Sequence, residues 1–184
     1  DLSVAGPRYL INYTNLALKT LKVSKIDALL LERLGAFSPI ERFEYLTHEY
    51  PTMAYLSMCF SAMPNLRHLL MDNAPWSKEF PVLSHLETLS VAYLRGDIDL
   101  TAFVTLKELT IRKQTSHYNM LLQTFLPIGL QRLTVISRYI GDVIQPSLDP
   151  FPPTLVHLES IAFHLTYETI EAFPYASLLE IELE

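Results

Sequence analysis

Residues 86–91 read Leu-Glu-Thr-Leu-Ser-Val, and residues 106–111 repeat the pattern as Leu-Lys-Glu-Leu-Thr-Ile. Both stretches consist of a leucine, two variable residues, a second leucine, one variable residue and an aliphatic residue. This pattern, which we call the apolar phrase, has three further strict copies, at residues 18–23, 66–71 and 130–135. A phrase that recurs along a chain is typical of repeat proteins, in which each copy is one structural unit.

Looser copies of the apolar phrase lie at residues 40–45, 158–163 and 178–183. The seventh copy has an alternative start at Leu155, because Leu155 and Leu158 have the spacing of the first two leucines of the phrase. Leu2 and Val4 indicate the remnant of one more copy. The intervals between the central residues are 22, 26, 20, 20, 24, 28 and 20 residues. The central residues are Leu21, Phe43, Leu69, Leu89, Leu109, Leu133, Ile161 and Ile181.

The apolar phrase predicts a β-strand with one buried face. Its second and third apolar residues are two positions apart, so in a strand they point to the same side, and the residue between them points to the other. One copy cannot bury its own apolar face, and neighbouring copies must therefore stack. Stacked copies predict a parallel sheet with a continuous apolar inner face, and we expect the central residues to be buried.

The segments between the phrases must return along the opposite side of the solenoid, and several of them have helical patterns. We predict helices at residues 26–34 (behind a cap at Ser24), 52–63, 118–125 and 166–173. The shorter crossings at residues 74–84 and 94–104 are predicted to be irregular or 3₁₀.

The chain resembles the leucine-rich-repeat family over essentially its whole length. Residues 63–69 and 151–155 are similar to the irregular repeats of F-box proteins. The resemblance implies an α/β leucine-rich-repeat solenoid, with a parallel sheet on the concave face and helices or irregular crossings on the convex face. The chain departs from the family pattern at one position. Leucine-rich repeats commonly have Asn or Cys three residues after the last apolar residue of the phrase, and here the residues at that position are Ile26, His48, Ala74, Leu94 and Gln114.

The organisation expected from the sequence is a single leucine-rich-repeat domain over residues 1–184, truncated at both ends. The chain begins at Asp1 without an initiator Met, and it stops inside the alternating pattern of residues 180–184. A localisation in the cytoplasm or nucleus is expected, in keeping with the single cysteine, Cys59.

Composition and motifs exclude several classes of function. The net charge is −6 and the basic residues are scattered, which argues against nucleic acid as a partner. No apolar run reaches the ~18 residues of a membrane span, so no membrane partner is predicted. The chain lacks a Gly-rich phosphate loop, a Gly-x-Ser-x-Gly elbow and a His-x-x-x-His pair. We therefore predict no enzyme activity, no cofactor and no metal site.

The resemblance implies a macromolecule-binding scaffold with a protein partner. The similarity to F-box repeats implies that the chain is the substrate-recognition region of a ubiquitin ligase receptor. It would be joined to the ligase components through segments outside this chain. One alternative is a structural or regulatory subunit of a larger assembly. Another is a non-catalytic repeat region attached to an enzyme domain that this chain does not contain.

The outward residues of the strands are the candidates for the partner-binding surface. They lie on the concave face, their central members are small, and Arg112 and Arg132 are placed to bind a carboxylate in bidentate fashion. The predicted partner-binding residues are His68, Leu70, Asp72, Thr88, Ser90, Thr110, Arg112, Arg132 and His164.

Overall fold

The apolar phrases form neighbouring strands of one parallel sheet. The structure is a computed structural model that describes residues 2–4, 18–26, 39–46, 52–74, 76–78, 80–95, 99–113, 126–137, 142–144, 152–161, 163–165 and 180–183. The strands of the sheet are β1 (Leu2–Val4), β2 (Thr20–Val23), β3 (Arg42–Tyr45), β4 (His68–Met71), β6 (Thr88–Val91), β8 (Glu108–Lys113), β9 (Arg132–Ser137), β11 (His157–Ile161) and β13 (Glu180–Leu183).

The strand order shows that the chain winds as a solenoid. The order is β1-β2-β3-β4-β6-β8-β9-β11-β13, and every neighbouring pair is parallel. Each strand thus pairs with the main-sheet strand that follows it in sequence, as it does when each turn adds one strand to a growing sheet. The predicted parallel solenoid is confirmed.

The register of the sheet aligns the central residues of the phrases. Leu21 pairs with Phe43, and the alignment continues without a shift through Leu69, Leu89, Leu109 and Leu133. These six side chains are at most 2% exposed. The predicted burial is therefore confirmed for six of the eight central residues, and the side chains of Ile161 and Ile181 lie outside the described set.

The seventh phrase enters the sheet three residues earlier than its predicted position. Leu158, and not Ile161, pairs with Leu133 on one side and Ile181 on the other. The alternative start that Leu155 and Leu158 offered is the one used, and both are buried, at 0% and 2% exposure. A parallel sheet aligns equivalent inward positions, and this register places two leucines inside the core.

A hydrogen-bond ladder joins the turns just before the strands begin. In six turns one carbonyl oxygen accepts two N–H groups of the following turn, as the Glu87 carbonyl does from Lys107 and Glu108 at 2.9 and 3.1 Å. The same double acceptance occurs at Lys19, Glu41, Arg67, Lys107 and Gln131. This repetition satisfies the backbone at the entry to each strand and keeps the register constant from turn to turn.

Threonine hydroxyls add a second link between turns. Thr105 Oγ1 lies 3.0 Å from the Ser84 carbonyl oxygen and 2.8 Å from that of Leu86. Thr154 Oγ1 repeats the arrangement two turns later, at 2.6 and 2.7 Å from the carbonyls of Ile128 and Leu130. Each hydroxyl therefore links the segment just before its own strand to the preceding turn of the solenoid.

The crossings between strands differ in their secondary structure. Helix α1 (Met53–Ser61) lies in the crossing between β3 and β4, which confirms the helix predicted there. The next two crossings contain β5 (Trp76–Ser77) and β7 (Leu94–Arg95), which pair in parallel as a second small sheet. A further pair joins β10 (Asp142–Ile144) to β12 (Phe163–Leu165). Residues 27–34, 118–125 and 166–173 of the other predicted helices lie outside the described residues, and Ile26 is not helical.

The core continues beneath the crossings. Ile26, Ala74 and Leu94, which occupy the position where the family commonly has Asn, are buried at 6%, 0% and 1% exposure. Four aromatic rings form a cluster in which Trp76 contacts Phe60, Phe80 and Phe103 at centroid distances of 5.6, 5.0 and 5.6 Å. Apolar packing therefore fills the turn that an Asn side chain would otherwise hydrogen-bond.

Two further observations concern the described part of the chain. No helix in it is long and apolar enough to cross a lipid bilayer. Cys59 lies on the inner side of α1 and is fully buried, and burial raises the pKa of its thiol to about 12. This thiol is protonated at neutral pH and is therefore a poor nucleophile.

Candidate functional site

The outward face of the sheet forms a groove across four successive strands, β3, β4, β6 and β8. Its volume is about 620 Å³. Most of its lining consists of the alternate, outward residues of these strands. The inward residues Leu69 and Leu89, whose side chains are buried in the core, also border it. We call it the concave groove, and its lining consists of Arg42, His68, Leu69, Leu70, Glu87, Thr88, Leu89, Ser90, Lys107, Glu108, Thr110 and Arg112.

Six of the nine predicted partner-binding residues line the concave groove: His68, Leu70, Thr88, Ser90, Thr110 and Arg112. Asp72 lies beside the groove and is hydrogen-bonded to Arg112. Arg132 is exposed on β9, beyond the groove lining. The sheet register brings these eight residues to one face.

The ninth residue, His164, is not part of this face. It lies in β12 and pairs with Val143 in the small sheet, whereas its predicted position was on the main sheet. The cause is the register of the seventh phrase: Leu158 occupies the central position, so the main strand ends at Ile161 before His164 is reached. His157 is the residue that pairs with Arg132.

Leu70 and two small polar residues, Ser90 and Thr110, form the floor of the concave groove. Leu70 pairs with Ser90, and Ser90 with Thr110, so the three residues form one row across the sheet. The Ser90 Oγ atom is buried and has no hydrogen-bond partner within the described part of the chain. Beside this row, His68 Nδ1 lies 3.0 Å from Thr88 Oγ1. The floor thus offers an unused hydroxyl group beneath an open volume.

An ion pair borders the groove at the ends of its strands. Arg112 Nη1 donates to Asp72 Oδ1 at 2.6 Å, from a turn two strands away. Ala92 lies 20 residues from each, at the equivalent position of the intervening turn, and is fully buried. Arg112 was expected to bind a partner's carboxylate in bidentate fashion, but one of its nitrogens is already bonded to Asp72.

A second ion-pair group closes the groove at β3. Glu44 is 4% exposed, and its two carboxylate oxygens are bonded to Lys22 Nζ at 2.8 Å and to Arg42 Nε at 2.7 Å. Burial raises the pKa of Glu44, but the hydrogen bonds and charges of Lys22 and Arg42 outweigh this effect and hold its pKa below the ordinary value. Glu44 is therefore ionised at neutral pH, and two cations neutralise it.

Charges alternate in sign along the edge of the sheet where the strands begin. The alternating residues on five successive turns are Lys19, Glu41, Arg67, Glu87 and Lys107. Two pairs are bonded, Lys19 to Glu41 at 3.0 Å and Arg67 to Glu87 at 2.8 Å. The hydrogen bond and charge of Lys19 lower the pKa of Glu41, with smaller contributions from Arg67 and His68. Alternation avoids like charges on adjacent strands.

Four charged residues that line the groove were absent from the predicted site. Arg42 and Glu108 lie in the outward row of His68 and Thr88, so the alternation of the strands could have identified them. Glu87 and Lys107 precede their strands, at a phrase position that alternation does not assign to either face. Their place at the groove wall follows from the path of the chain as it enters the sheet.

The described residues contain no group of three or more His, Cys, Asp or Glu side chains that could hold a metal ion. Comparisons of the chain with protein-family models, curated proteins and solved structures found no match.

Proposed function

We propose that this chain is a non-catalytic binding scaffold that recognises a protein partner in the concave groove. The observation that carries the proposal is the open volume of about 620 Å³ above the row formed by Leu70, Ser90 and Thr110. Extended concave surfaces of this kind are the binding faces of solenoid proteins. The outward side chains that line the groove are not part of the apolar core, so they are available for contacts with a partner.

We assign the solenoid to the leucine-rich-repeat class, with helices on part of its convex face. The assignment is supported by the apolar phrase, by the constant register of its leucines and by α1 in one crossing. Within this class, we propose the substrate-recognition region of an F-box ubiquitin ligase receptor. The likeness of residues 63–69 and 151–155 to irregular F-box repeats supports this finer proposal.

Site-specific photo-crosslinking of the natural full-length protein tests the binding face. A photoreactive residue in place of Thr110 should produce adducts with a partner, because Thr110 lies on the groove floor. The same residue in place of Lys78, which is exposed on a crossing, is the matched control. Adducts formed only from position 78 would show that the binding face has been misassigned.

Charge reversal provides the second arm of the test. Arg112→Glu together with Arg132→Glu should remove the adducts from position 110, since both side chains lie on the concave face. Lys78→Glu should leave them in place. Mass spectrometry of the complexes also tests the F-box proposal, which requires ubiquitin ligase components to accompany the natural protein; their absence would favour a role in another assembly.

A further inference from the structure

We propose that the segment bound in the concave groove is an acidic, extended peptide. This inference rests on the proposed function and names the chemistry of the partner. The chain as a whole carries a net charge of −6, yet three cations and only two carboxylates line the groove. A surface that is locally positive on an acidic protein favours an anionic partner and disfavours further copies of the chain's own acidic surface.

The balance stays at one net positive charge when the ion-pair partners outside the lining are included. Arg67 and Lys22 add two cations, and Asp72 and Glu44 add two carboxylates. Lys107 and Glu108 have no ion-pair partner among the described residues, and Glu108 is thus the groove's one uncompensated carboxylate. The unpaired cation and carboxylate offset one another, and Arg112 is matched by Asp72. The excess cation therefore lies in the group of Arg42, Lys22 and Glu44, where two cations share one carboxylate.

Both arginines retain unused donors. Arg42 is bonded to Glu44 through Nε alone, and Arg112 to Asp72 through Nη1 alone. A guanidinium group has five N–H donors, so each arginine can bond a second carboxylate without leaving its first partner. Their side chains are 52% and 36% exposed and are therefore accessible to a ligand.

The dimensions of the groove suit an extended segment. It crosses four strands, which span about 14 Å at the ~4.8 Å spacing of a sheet. An extended chain advances ~3.3 Å per residue, so about four residues lie within the groove. The Ser90 hydroxyl, buried and without a partner, can donate to a backbone carbonyl or a carboxylate that reaches the floor.

A charge-varied peptide library tests the proposal on the full chain. The eight-residue peptides have four central positions drawn from Asp, Glu, Lys, Arg, Gln, Ser, Leu and Tyr, between Gly-Ser flanks. The expected result is enrichment of peptides with two or more Asp or Glu residues, and their loss from Lys107→Gln with Arg112→Gln. A different result would be enrichment of basic or neutral peptides, with an enrichment that changes in this double variant. That result would overturn the acidic assignment and leave the proposed function standing.

Enrichment of no peptide over a heat-denatured control would count against both the acidic assignment and the proposed function. Enrichment that persists unchanged in the double variant would place the binding outside the concave groove and would likewise overturn both. The acidic assignment can therefore fail alone, whereas a failure of the proposed function also removes the acidic assignment.

Single substitutions with opposite expected effects on affinity sharpen the test. Their binding is measured with one fluorescein-labelled acidic peptide from the library. Glu108→Gln removes the unpaired carboxylate and Asp72→Asn frees Arg112, so each should tighten binding by about two- to fivefold. Lys107→Gln and Arg112→Gln should each weaken it by a similar factor, and Lys78→Gln on a crossing should not change it. Tightening by Lys107→Gln or weakening by Glu108→Gln in anisotropy titrations would contradict the proposal.

Discussion

The crossing between β3 and β4 contains a helix, whereas the next two crossings contain two-residue strands. The strands that flank each crossing are aligned in the same register. Phe43 is aligned with Leu69 across the helical crossing, and Leu69 with Leu89 across the next one. The lengths differ, with 26 positions between the first pair and 20 between the second. The apolar phrase therefore determines the register of the sheet, and the crossing contains the residues between one phrase and the next.

The rise per residue explains the difference. Both kinds of crossing must return the chain over a similar distance on the side of the solenoid opposite the sheet. With few residues the chain has to stay extended, at ~3.3 Å per residue, and short strands such as β5 and β7 result. With six more residues the same distance is covered more compactly, since the nine residues of α1 rise only about 14 Å as a helix.

The two regions share one core despite their different backbones. Phe60 of α1 stacks on Trp76 of β5 at a centroid distance of 5.6 Å, and Trp76 contacts Phe103 of the following crossing at 5.6 Å. Aromatic packing thus joins the helical crossing to both strand-containing crossings. The stability of each region is therefore expected to depend on the other.

Trp76→Ala should have the largest effect, because Trp76 is 1% exposed and packs against rings from both regions. We expect a loss of about 3–5 kcal/mol in the free energy of unfolding. Urea denaturation followed by circular dichroism measures it. Tyr55→Ala on the exposed side of α1 is the control and should cost less than about 1 kcal/mol. Equal losses would mean that the aromatic cluster does not join the crossings.

Leu109→Ala tests the sheet that both regions share. Leu109 is fully buried between its register partners Leu89 and Leu133, and its removal should destabilise the protein by about 2–5 kcal/mol through the cavity it leaves. Lys107→Ala, two residues away and exposed, should change the stability by less than about 0.5 kcal/mol. Similar midpoints in denaturant for the two variants would show that the register is wrong.

Thr105→Val removes the hydroxyl that links one turn to the preceding turn. The two carbonyl oxygens within 3.0 Å of it lose a donor, and a cost of about 1 kcal/mol is expected. Thr154→Val should cost the same, because Thr154 makes the equivalent contacts. Thermal melts of both variants measure this, and a large difference between them would indicate that the turns are not equivalent in solution.

Thr52→Ala should have the smallest effect, below about 0.5 kcal/mol. Thr52 occupies the N-cap of α1, where such a change often costs ~1 kcal/mol, but its side chain makes no capping hydrogen bond. The helix in the long crossing is therefore stabilised by the burial of Leu56, Cys59 and Phe60 and not by its cap. A loss near 1 kcal/mol in the same melts would contradict this account.

Much of the concave groove could be predicted from the sequence, because outward positions follow from inward ones. Thr88, Ser90 and Thr110 lie in the groove where alternation placed them. Glu87 and Lys107 could not be assigned in this way, since both lie before their strands, where the period of two does not apply. His164 was misplaced because two overlapping phrases compete for the seventh strand.

The sequence by itself determined which residues of each phrase face the core, because a strand buried on one face needs apolar side chains at every second position. Tertiary structure decided between the overlapping phrases at Leu158 and Ile161, since the choice depends on alignment with Leu133. It also decided that Arg112 bonds Asp72, 40 residues away. Such a contact depends on how separate turns stack, and no local pattern in the chain encodes that distance.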